Sequence, residues 1–367
     1  MADVKKLLIA ASGTGGHLFP AIATAEQLSD YQIEWLGVSN RLETRLVPGC
    51  YPMNIIEIEG FQTRFGLRTF QTLRQFVSSI LEVRRLLQTG SFDGVLTTGG
   101  YIAAPAIIAA RALGLPAILH ESNVLPGKVT RWLSPWCTAV ALGFDASVQY
   151  LPRAKTVCVG TPVRSQFRSR HDSSTEEISL VDLPIPPDVP LIVVIGGSQG
   201  AVAVNQLIRK CAPEWFEQGI WVVHLTGEND PDVKQLNHPQ YFPLAFYNDM
   251  ARLLKRANLA ISRAGAGTLT ELAITQTPSI LIPYPYAAED HQTFNAASFA
   301  AANAAIVCRQ TELTPDILKT KVLDLFQSPE RLNAMGAAAE KLAIADSAEQ
   351  LAHLVRQCLN PSAPTSG

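Results

Sequence analysis

The sequence is short of the pairings that mark a metal or disulfide protein. Its six cysteines (Cys50, Cys137, Cys158, Cys211, Cys308 and Cys358) form no CxxC pair and no ligand-type spacing, so they read as reduced thiols in the core or at the surface. No uninterrupted apolar run approaches the ~20 residues needed to span a bilayer. No signal peptide is visible: Met1 is followed by Asp3-Val4-Lys5-Lys6 and a strand-like run rather than an apolar helix. The chain is therefore expected in the cytoplasm, or on a membrane without crossing it. A large charge excess is also lacking. The net charge is −2, with 14 Lys/Arg against 11 Asp/Glu in residues 1–163 and 16 against 21 in the rest. That balance excludes nucleic acid as a partner, while the mildly basic first half suits an anionic surface.

What is present is a repeated pattern of buried strand, Gly-rich corner and helix over 367 residues, 47% hydrophobic and 17% charged. This length predicts two globular domains, each with its own core. The most informative stretch is Ser262-Arg263-Ala264-Gly265-Ala266-Gly267-Thr268-Leu269-Thr270-Glu271. An apolar run over 257–262 reads as a strand, small residues break it, and a helix starts at Thr268. Such a corner leaves backbone N–H groups open at a helix N-terminus, where an anion or a sugar hydroxyl can sit. Glu271, one turn in, is placed to accept hydrogen bonds from a vicinal diol such as ribose. A second corner follows the strand at 279–282, with Pro283-Tyr284-Pro285 and then Glu289-Asp290-His291-Gln292. Adjacent loops at the carboxyl ends of parallel strands form the crevice where open α/β sheets bind ligands. The plainer alternative is two ordinary strand-to-helix loops.

In the first half, residues 6–11 read as a strand, and Ser12-Gly13-Thr14-Gly15-Gly16-His17 as a Gly-rich loop before a helix reaching Leu28. The loop lacks the Lys-Ser/Thr ending of a P-loop, and Leu18 stands where a dinucleotide fingerprint requires its third glycine; a nicotinamide oxidoreductase is thereby excluded. His17 is either a general base, since imidazole titrates near neutrality, or a residue capping the helix start. Strand-like pieces follow at 33–38 and 55–59 around Arg41 and Arg45.

From 64 to 88, apolar residues including Phe65, Leu67, Phe70, Leu73, Phe76, Val77, Ile80, Leu81, Val83, Leu86 and Leu87 cover more than half of a helical wheel. A helix packed on one core needs only a stripe of ~100°. With Arg64, Arg68, Arg74, Arg84 and Arg85 beside it, this excess favours a face resting on an anionic membrane over a helix packed between two neighbours.

A strand at 94–98 leads into Gly99-Gly100-Tyr101 and a helix over 102–112. The strand at 116–120 then ends in His120-Glu121-Ser122-Asn123. Glu121 is a candidate acid or base and Asn123 a candidate ligand donor, although either could cap the next helix. Trp132 and Trp136, with Lys128 and Arg131, could extend the membrane face. Residues 157–164 read as the last strand of the first domain, delivering Arg164 to an interdomain cleft.

Residues 165–190, rich in Ser, Asp, Glu and Pro, read as an exposed linker. The pattern restarts at 191–195 with Gly196-Gly197-Ser198-Gln199-Gly200 and a helix through Arg209, repeating the arrangement at 6–28. Backbone donors, the Ser198 hydroxyl and the neighbouring Gln199 would face a phosphate there. A further strand is expected at 220–225. Asp230-Pro231-Asp232 is similar to the acidic pair of metal-dependent glycosyltransferases, but its turn setting favours a structural role. Phe246-Tyr247-Asn248-Asp249-Met250 precedes a helix to Lys255, and backbone near Tyr247 could read a base edge. The segment 328–359 reads as helical, without evident chemistry.

Seven of these loops, at 13–17, 99–101, 120–123, 160–164, 196–200, 246–250 and 263–271, resemble in order those of the MurG family of peptidoglycan glycosyltransferases. The resemblance covers residues 6 to about 300. It implies a GT-B fold of class α/β: two Rossmann-like domains with parallel sheets facing across a cleft. The domains would span 1–164 and 191–341, with a helix at about 342–359 returning to the first. It implies UDP-N-acetylglucosamine as donor and undecaprenyl-diphosphate-linked muramoyl pentapeptide, lipid I, as acceptor. No cofactor or metal is implied, and other cell-wall synthesis proteins are natural partners.

Carried over by position, Ser198 with Gln199 would hold the diphosphate, with Arg164 beside it. Tyr247 backbone would read uracil and Glu271 would take the ribose hydroxyls. Arg263, Ala266, Gly267, Thr268, Leu269 and Thr270 would line the donor, and His291 with Gln292 would read the donor sugar. Thr14, Gly15 and Gly16 would lie between donor and acceptor, and Asn123 would contact the N-acetylglucosamine. The sequence departs from the family pattern in having His291-Gln292 where a paired glutamine is usual, and Gly267 where a larger apolar residue can occur.

The implied reaction is attack of the muramoyl C4 hydroxyl on the anomeric carbon with inversion. His17 is favoured as base, with Glu121 orienting it or serving instead. The alternative is a related transferase that glycosylates a lipid such as diacylglycerol. It would share the second-half motifs and differ in the first-half loops. A nucleotide-sugar-binding subunit without chemistry is disfavoured by the joint presence of His17, Glu121 and Asn123.

Overall fold

The computed structural model describes residues 4–39, 41–58, 67–168, 180, 182–197 and 200–360. The chain divides into two compact units, one made of residues 1–164 with 346–367 and the other of 165–345.

The first unit is built on seven strands: β1 (Lys6–Ala10), β2 (Gln32–Val38), β3 (Met53–Ile56), β4 (Gly94–Thr97), β5 (Ala117–Glu121), β6 (Ala139–Leu142) and β7 (Thr156–Cys158). They form one parallel sheet in the order β3-β2-β1-β4-β5-β6-β7. Both faces are covered, and side chains alternate between them along each strand. Leu8 and Ala10 join Val83, Leu87, Val95 and Ile107 on one side. Leu7 and Ile9 join Leu18, Trp35, Leu96 and Ile118 on the other, together with Leu351, Val355 and Leu359 of the helix Ser347–Leu359. That helix is fixed to the first unit at its tip as well: Arg356 pairs with Asp30 at 2.5 Å, and Ser347 Oγ donates to Thr161 O at 3.0 Å.

The second unit has six strands: β8 (Leu191–Ile195), β9 (Trp221–Leu225), β10 (Tyr241–Leu244), β11 (Leu259–Ser262), β12 (Ser279–Leu281) and β13 (Ala305–Val307). They lie parallel in the order β10-β9-β8-β11-β12-β13. Each sheet therefore grows outward from its first strand in two directions, as in Rossmann-type folds. Each has its switch point between the first strand and the fourth, β1/β4 and β8/β11, the position outside which such sheets bind ligands.

Three sequence expectations change. The last strand of the first unit, expected over 157–164, stops at Cys158. Gly160 takes a left-handed φ of 78° and Pro162 has no N–H, so no ladder can continue. The expected exposed linker is partly packed: Phe167, Leu180 and Leu183 are buried, and Gln166 Oε1 accepts from Ala251 N at 3.2 Å. The helical tail at 328–359 is two helices, Pro329–Glu340 and Ser347–Leu359, divided where the chain passes from one unit to the other.

The helix Leu67–Thr89 sorts its apolar excess by face. Val83 and Leu87 are buried and Phe76 and Leu86 pack on the same core. Leu73, Val77 and Leu81, spaced by four, are 49%, 48% and 58% exposed. Of the expected membrane residues, Arg64 and Phe65 lie outside the described residues. No helix among the described residues is long and apolar enough to cross a membrane.

Candidate active site

In the first unit the glycine-rich loop joins β1 to the helix Gly15–Ala25, and the Thr98-Gly99-Gly100 corner follows β4. The two loops meet at the switch point through His17. Thr98 O lies 2.7 Å from His17 Nδ1, and Thr98 Oγ1 donates to His17 O at 2.8 Å. A carbonyl accepts only, so the proton sits on Nδ1 and Nε2 carries the lone pair. Nε2 makes no hydrogen bond among the described residues. The ring is half-buried and gripped by two glycines with φ of 96° and 78°, Gly99 and Gly100. A Cβ on Gly99 would sit 3.3 Å from His17 Cε1. Thr14 precedes the helix in an extended conformation without a side-chain cap. Gly15 is buried, where a Cβ would meet the Phe19 ring at 2.8 Å, whereas Gly16 is exposed.

A residue outside the sequence expectations holds the other end of this loop. Glu43, fully buried, accepts from Ser12 Oγ at 2.6 Å, Val38 N at 2.8 Å and Gly13 N at 3.3 Å. In the sequence it follows Arg41 and reads as part of a charged surface segment, so nothing there points to burial.

The β5 corner is a closed hydrogen-bonded unit. Glu121 Oε1 accepts from Asn123 N and Asn123 Nδ2, both at 3.1 Å, and Oε2 accepts from Gly127 N at 3.1 Å and Thr130 Oγ1 at 2.7 Å. Four donors saturate a carboxylate that is 6% exposed, an arrangement that holds Asn123 in place. His120 Nε2 meets Gly160 O at 2.9 Å, and burial holds its pKa below the ordinary imidazole value. Arg164 stacks over the Phe19 ring, 5.0 Å from its centroid, on the helix that carries His17.

In the second unit, the loop after β8 carries Gly197 and Gly200 at φ of 86° and 76°. A Cβ on Gly200 would lie 2.6 Å from Thr226 O; Ser198 and Gln199 lie outside the described residues. Beneath the loop runs a buried polar chain. Asn205 Nδ2 donates to Thr226 O at 2.9 Å and Asp230 Oδ2 at 3.0 Å. His224 bridges Asn205 Oδ1 (3.0 Å) and the Tyr241 hydroxyl (2.7 Å). Arg209 grips both Asp230 oxygens at 2.7 and 3.2 Å. Asp230 is thus a structural anion.

The corner after β11 presents the N-terminus of the helix Ala266–Ile274, preceded by Gly265 without a side-chain cap. Its first N–H groups, from Ala266, Gly267 and Thr268, therefore stay available to a ligand. No atom lies within 4 Å of a Cβ built on Gly267, so the departure there leaves open space. Thr270 Oγ1 bonds back to Ala266 O at 3.1 Å, and Glu271 is half-buried one turn further on.

Two residues expected to line the donor turn their side chains into the second unit. Leu269 is fully buried and turns into the core, because position four of this helix faces inward. Arg263, 9% exposed, donates to Ile282 O at 3.0 Å, Pro283 O at 3.2 Å and Gln310 Oε1 at 2.7 Å. It supports the two corners from behind.

Gln292 Oε1 accepts from Ala264 N at 3.2 Å and Tyr284 N at 2.9 Å, so its carbonyl clamps both corners. His291 is half-buried beside it, at the start of the helix His291–Ala301. Asn295 Nδ2, one turn on, donates to Ala264 O at 3.1 Å. Tyr247 is 9% exposed, and burial raises its phenol pKa; the adjacent Phe246 is 63% exposed. Among the described residues, no three His, Cys, Asp or Glu side chains gather into a metal-holding group.

Two parallel Rossmann-like units with glycine corners at both switch points are the architecture of the GT-B fold, and the family models make the chain a glycosyltransferase. The glycosyltransferase family 28 N-terminal domain matches residues 7–142 and its C-terminal domain residues 191–351. A UDP-N-acetylglucosamine–N-acetylmuramyl-(pentapeptide) pyrophosphoryl-undecaprenol N-acetylglucosamine transferase of Nostoc sp. is 64% identical over 352 residues, covering 96% of this chain and 97% of the relative. The enzyme of that name from Trichodesmium erythraeum is 61% identical over 355 residues, covering 97% and 93%. The crystal structure of Acinetobacter baumannii MurG matches with a TM-score of 0.77 at 28% identity, over 96% of this chain and 99% of that one. A Staphylococcus aureus MnaA–UDP structure, at 14% identity and a TM-score of 0.69, shares the fold. This chain belongs to the MurG family.

Proposed function

We propose that the chain transfers N-acetylglucosamine from UDP-N-acetylglucosamine to the C4 hydroxyl of undecaprenyl-diphosphate-N-acetylmuramoyl-pentapeptide, with inversion, in peptidoglycan synthesis. The observation that carries this reading is the near-complete match to relatives named for that transfer, at 61–64% identity in the two compared above. The residues fit the chemistry. His17, with its proton held on Nδ1 by Thr98 O, presents Nε2 as the base for the acceptor hydroxyl. Glu121 is a positioning residue that orients Asn123 towards the donor sugar.

The free N–H groups at Ala266, Gly267 and Thr268, with the loop 196–200, face the diphosphate and stabilise the charge that develops on leaving UDP without reorganising. Arg164 lies beside that charge. Tyr247 backbone reads uracil, Glu271 takes the ribose diol, and the Gln292 amide with His291 reads the sugar. Thr14, Gly15 and Gly16 line the path between donor and acceptor.

The enzyme works from the cytoplasmic face of the plasma membrane. Leu73, Val77 and Leu81, with Arg74, Arg84 and Arg85 on the same helix, rest on anionic lipid, and exposed Trp132 and Trp136 extend that face.

The test is UDP release by purified protein given UDP-N-acetylglucosamine, with and without a short-chain lipid I analogue. Acceptor-dependent release is expected. Turnover with diacylglycerol and none with the lipid I analogue would overturn the acceptor assignment.

A further inference from the structure

Gly-rich corners before a helix ordinarily seat an anion on their free amides. In the first unit an anion is already built in. Glu43 enters from the short helix Glu43–Leu46 and is fully buried. Its Oε2 takes Gly13 N at 3.3 Å, and its Oε1 takes Ser12 Oγ at 2.6 Å and Val38 N at 2.8 Å. The space is shaped for it: a Cβ on Gly37 would meet Glu43 Cγ at 3.0 Å. Gly13, at φ 107°, is the residue that turns its N–H towards this carboxylate and sends the chain on to Thr14 and the His17 turn. No Lys, Arg or His pairs with Glu43 among the described residues. Its charge is held by neutral donors alone, and it repels any second anion brought to the same loop.

Resting on the transferase reading above, we propose that Glu43 is a positioning residue for this reaction. Its carboxylate ties the Ser12–Gly13 end of the loop to Val38 of β2 and so fixes the backbone that carries His17.

Glu43→Gln tests this. The amide keeps one oxygen for Ser12 and Val38 but turns an NH2 group towards Gly13 N–H, so donor faces donor while volume is preserved. Turnover of a short-chain lipid I analogue should fall about 10–100-fold in kcat, as displacement of a catalytic group by about 1 Å does. KM for UDP-N-acetylglucosamine should stay within twofold, and the protein should still unfold cooperatively. Glu43→Ala, which removes all three bonds, should lower kcat at least as far with the same small change in KM for UDP-N-acetylglucosamine. A Glu43→Gln protein with unchanged kcat, or one whose loss of kcat merely tracks its loss of folded protein, would overturn the proposal. The unaltered chain is the control: if it fails to turn over the analogue, the transferase reading fails instead.

Discussion

Exchanging Glu121 for glutamine and, separately, His17 for alanine should give opposite signatures. In the Glu121→Gln chain one carboxylate oxygen becomes an NH2 group, and two donors lose their acceptor whichever oxygen is replaced. These are either the two Asn123 donors at 3.1 Å, or Gly127 N at 3.1 Å with Thr130 Oγ1 at 2.7 Å. An unpaired buried donor costs about 1–3 kcal/mol; the Thr130 hydroxyl can rotate and accept instead, so the cheaper orientation leaves only Gly127 N unpaired, at about 1–3 kcal/mol. For domains of about 150–250 residues each kcal/mol lowers Tm by roughly 2–4 °C, so Tm should drop by roughly 2–12 °C. The folded fraction should keep kcat to within about tenfold, since only the aim of Asn123 is relaxed. The His17→Ala chain loses one half-buried bond to Thr98 O and should melt within a few degrees of the parent, while removal of a general base lowers kcat by about 10²–10⁴-fold. UDP release with a short-chain lipid I analogue, measured beside thermal unfolding, reads both. A Glu121→Gln protein of unaltered Tm with kcat reduced more than about a hundredfold would make Glu121 the base and refute the argument from its saturated oxygens.

Other perturbations have equally defined outcomes. Gly200→Ala forces a Cβ into the space 2.6 Å from Thr226 O at a φ of 76°, so KM for UDP-N-acetylglucosamine should rise at least tenfold, roughly the equivalent of 1.4 kcal/mol; an unchanged KM would detach this corner from the donor. Replacing Leu73, Val77 and Leu81 together by aspartate should abolish sedimentation with anionic vesicles and leave turnover of a short-chain, water-soluble acceptor within about twofold, because the stripe proposed to meet lipid carries none of the proposed site residues. His120 is held below its usual pKa by burial, and His224 is pushed down to about 3 by burial and then by the Arg209 charge. Above pH ~6.5 both are neutral folded or unfolded and contribute nothing. Below it the unfolded imidazoles bind protons that the folded ones refuse. Stability should therefore fall on acidification by up to ~1.4 kcal/mol per pH unit for each histidine, continuing for His224 to about pH 3. Thermal unfolding between pH 7 and 5 checks this, and a His224→Gln chain should show the shallower slope.

The strands that lead into glycine corners were readable because a strand covered on two faces is written as an uninterrupted apolar run, whereas Ala139–Leu142, Tyr241–Leu244 and Ala305–Val307 were not expected from the sequence. His17 and the corner at 264–268 could be found for the same reason: they sit where strand periodicity breaks. Side-chain direction was not readable. Leu269 and Thr270 are neighbours in one motif, yet helical rotation sends the first into the core and leaves the second half-exposed. Arg263 was expected to line the donor from its place in the motif, and the three oxygens that engage its side chain come from Ile282, Pro283 and Gln310. Glu43 went unnoticed for the converse reason. Its three donors lie in β2 and the loop after β1, so only tertiary structure shows that a glutamate in an Arg-flanked segment is buried.

The helix Ser347–Leu359 has a consequence for how the molecule is made. One face of the first sheet is completed by Leu351, Val355 and Leu359, residues that leave the ribosome after the whole second unit has been synthesised. Until then Leu7, Ile9 and Trp35, buried in the finished protein, have part of their cover missing. The nascent first half thus carries uncovered apolar surface until synthesis ends, and a chain truncated before residue 346 should lose solubility even though every strand of both sheets is present.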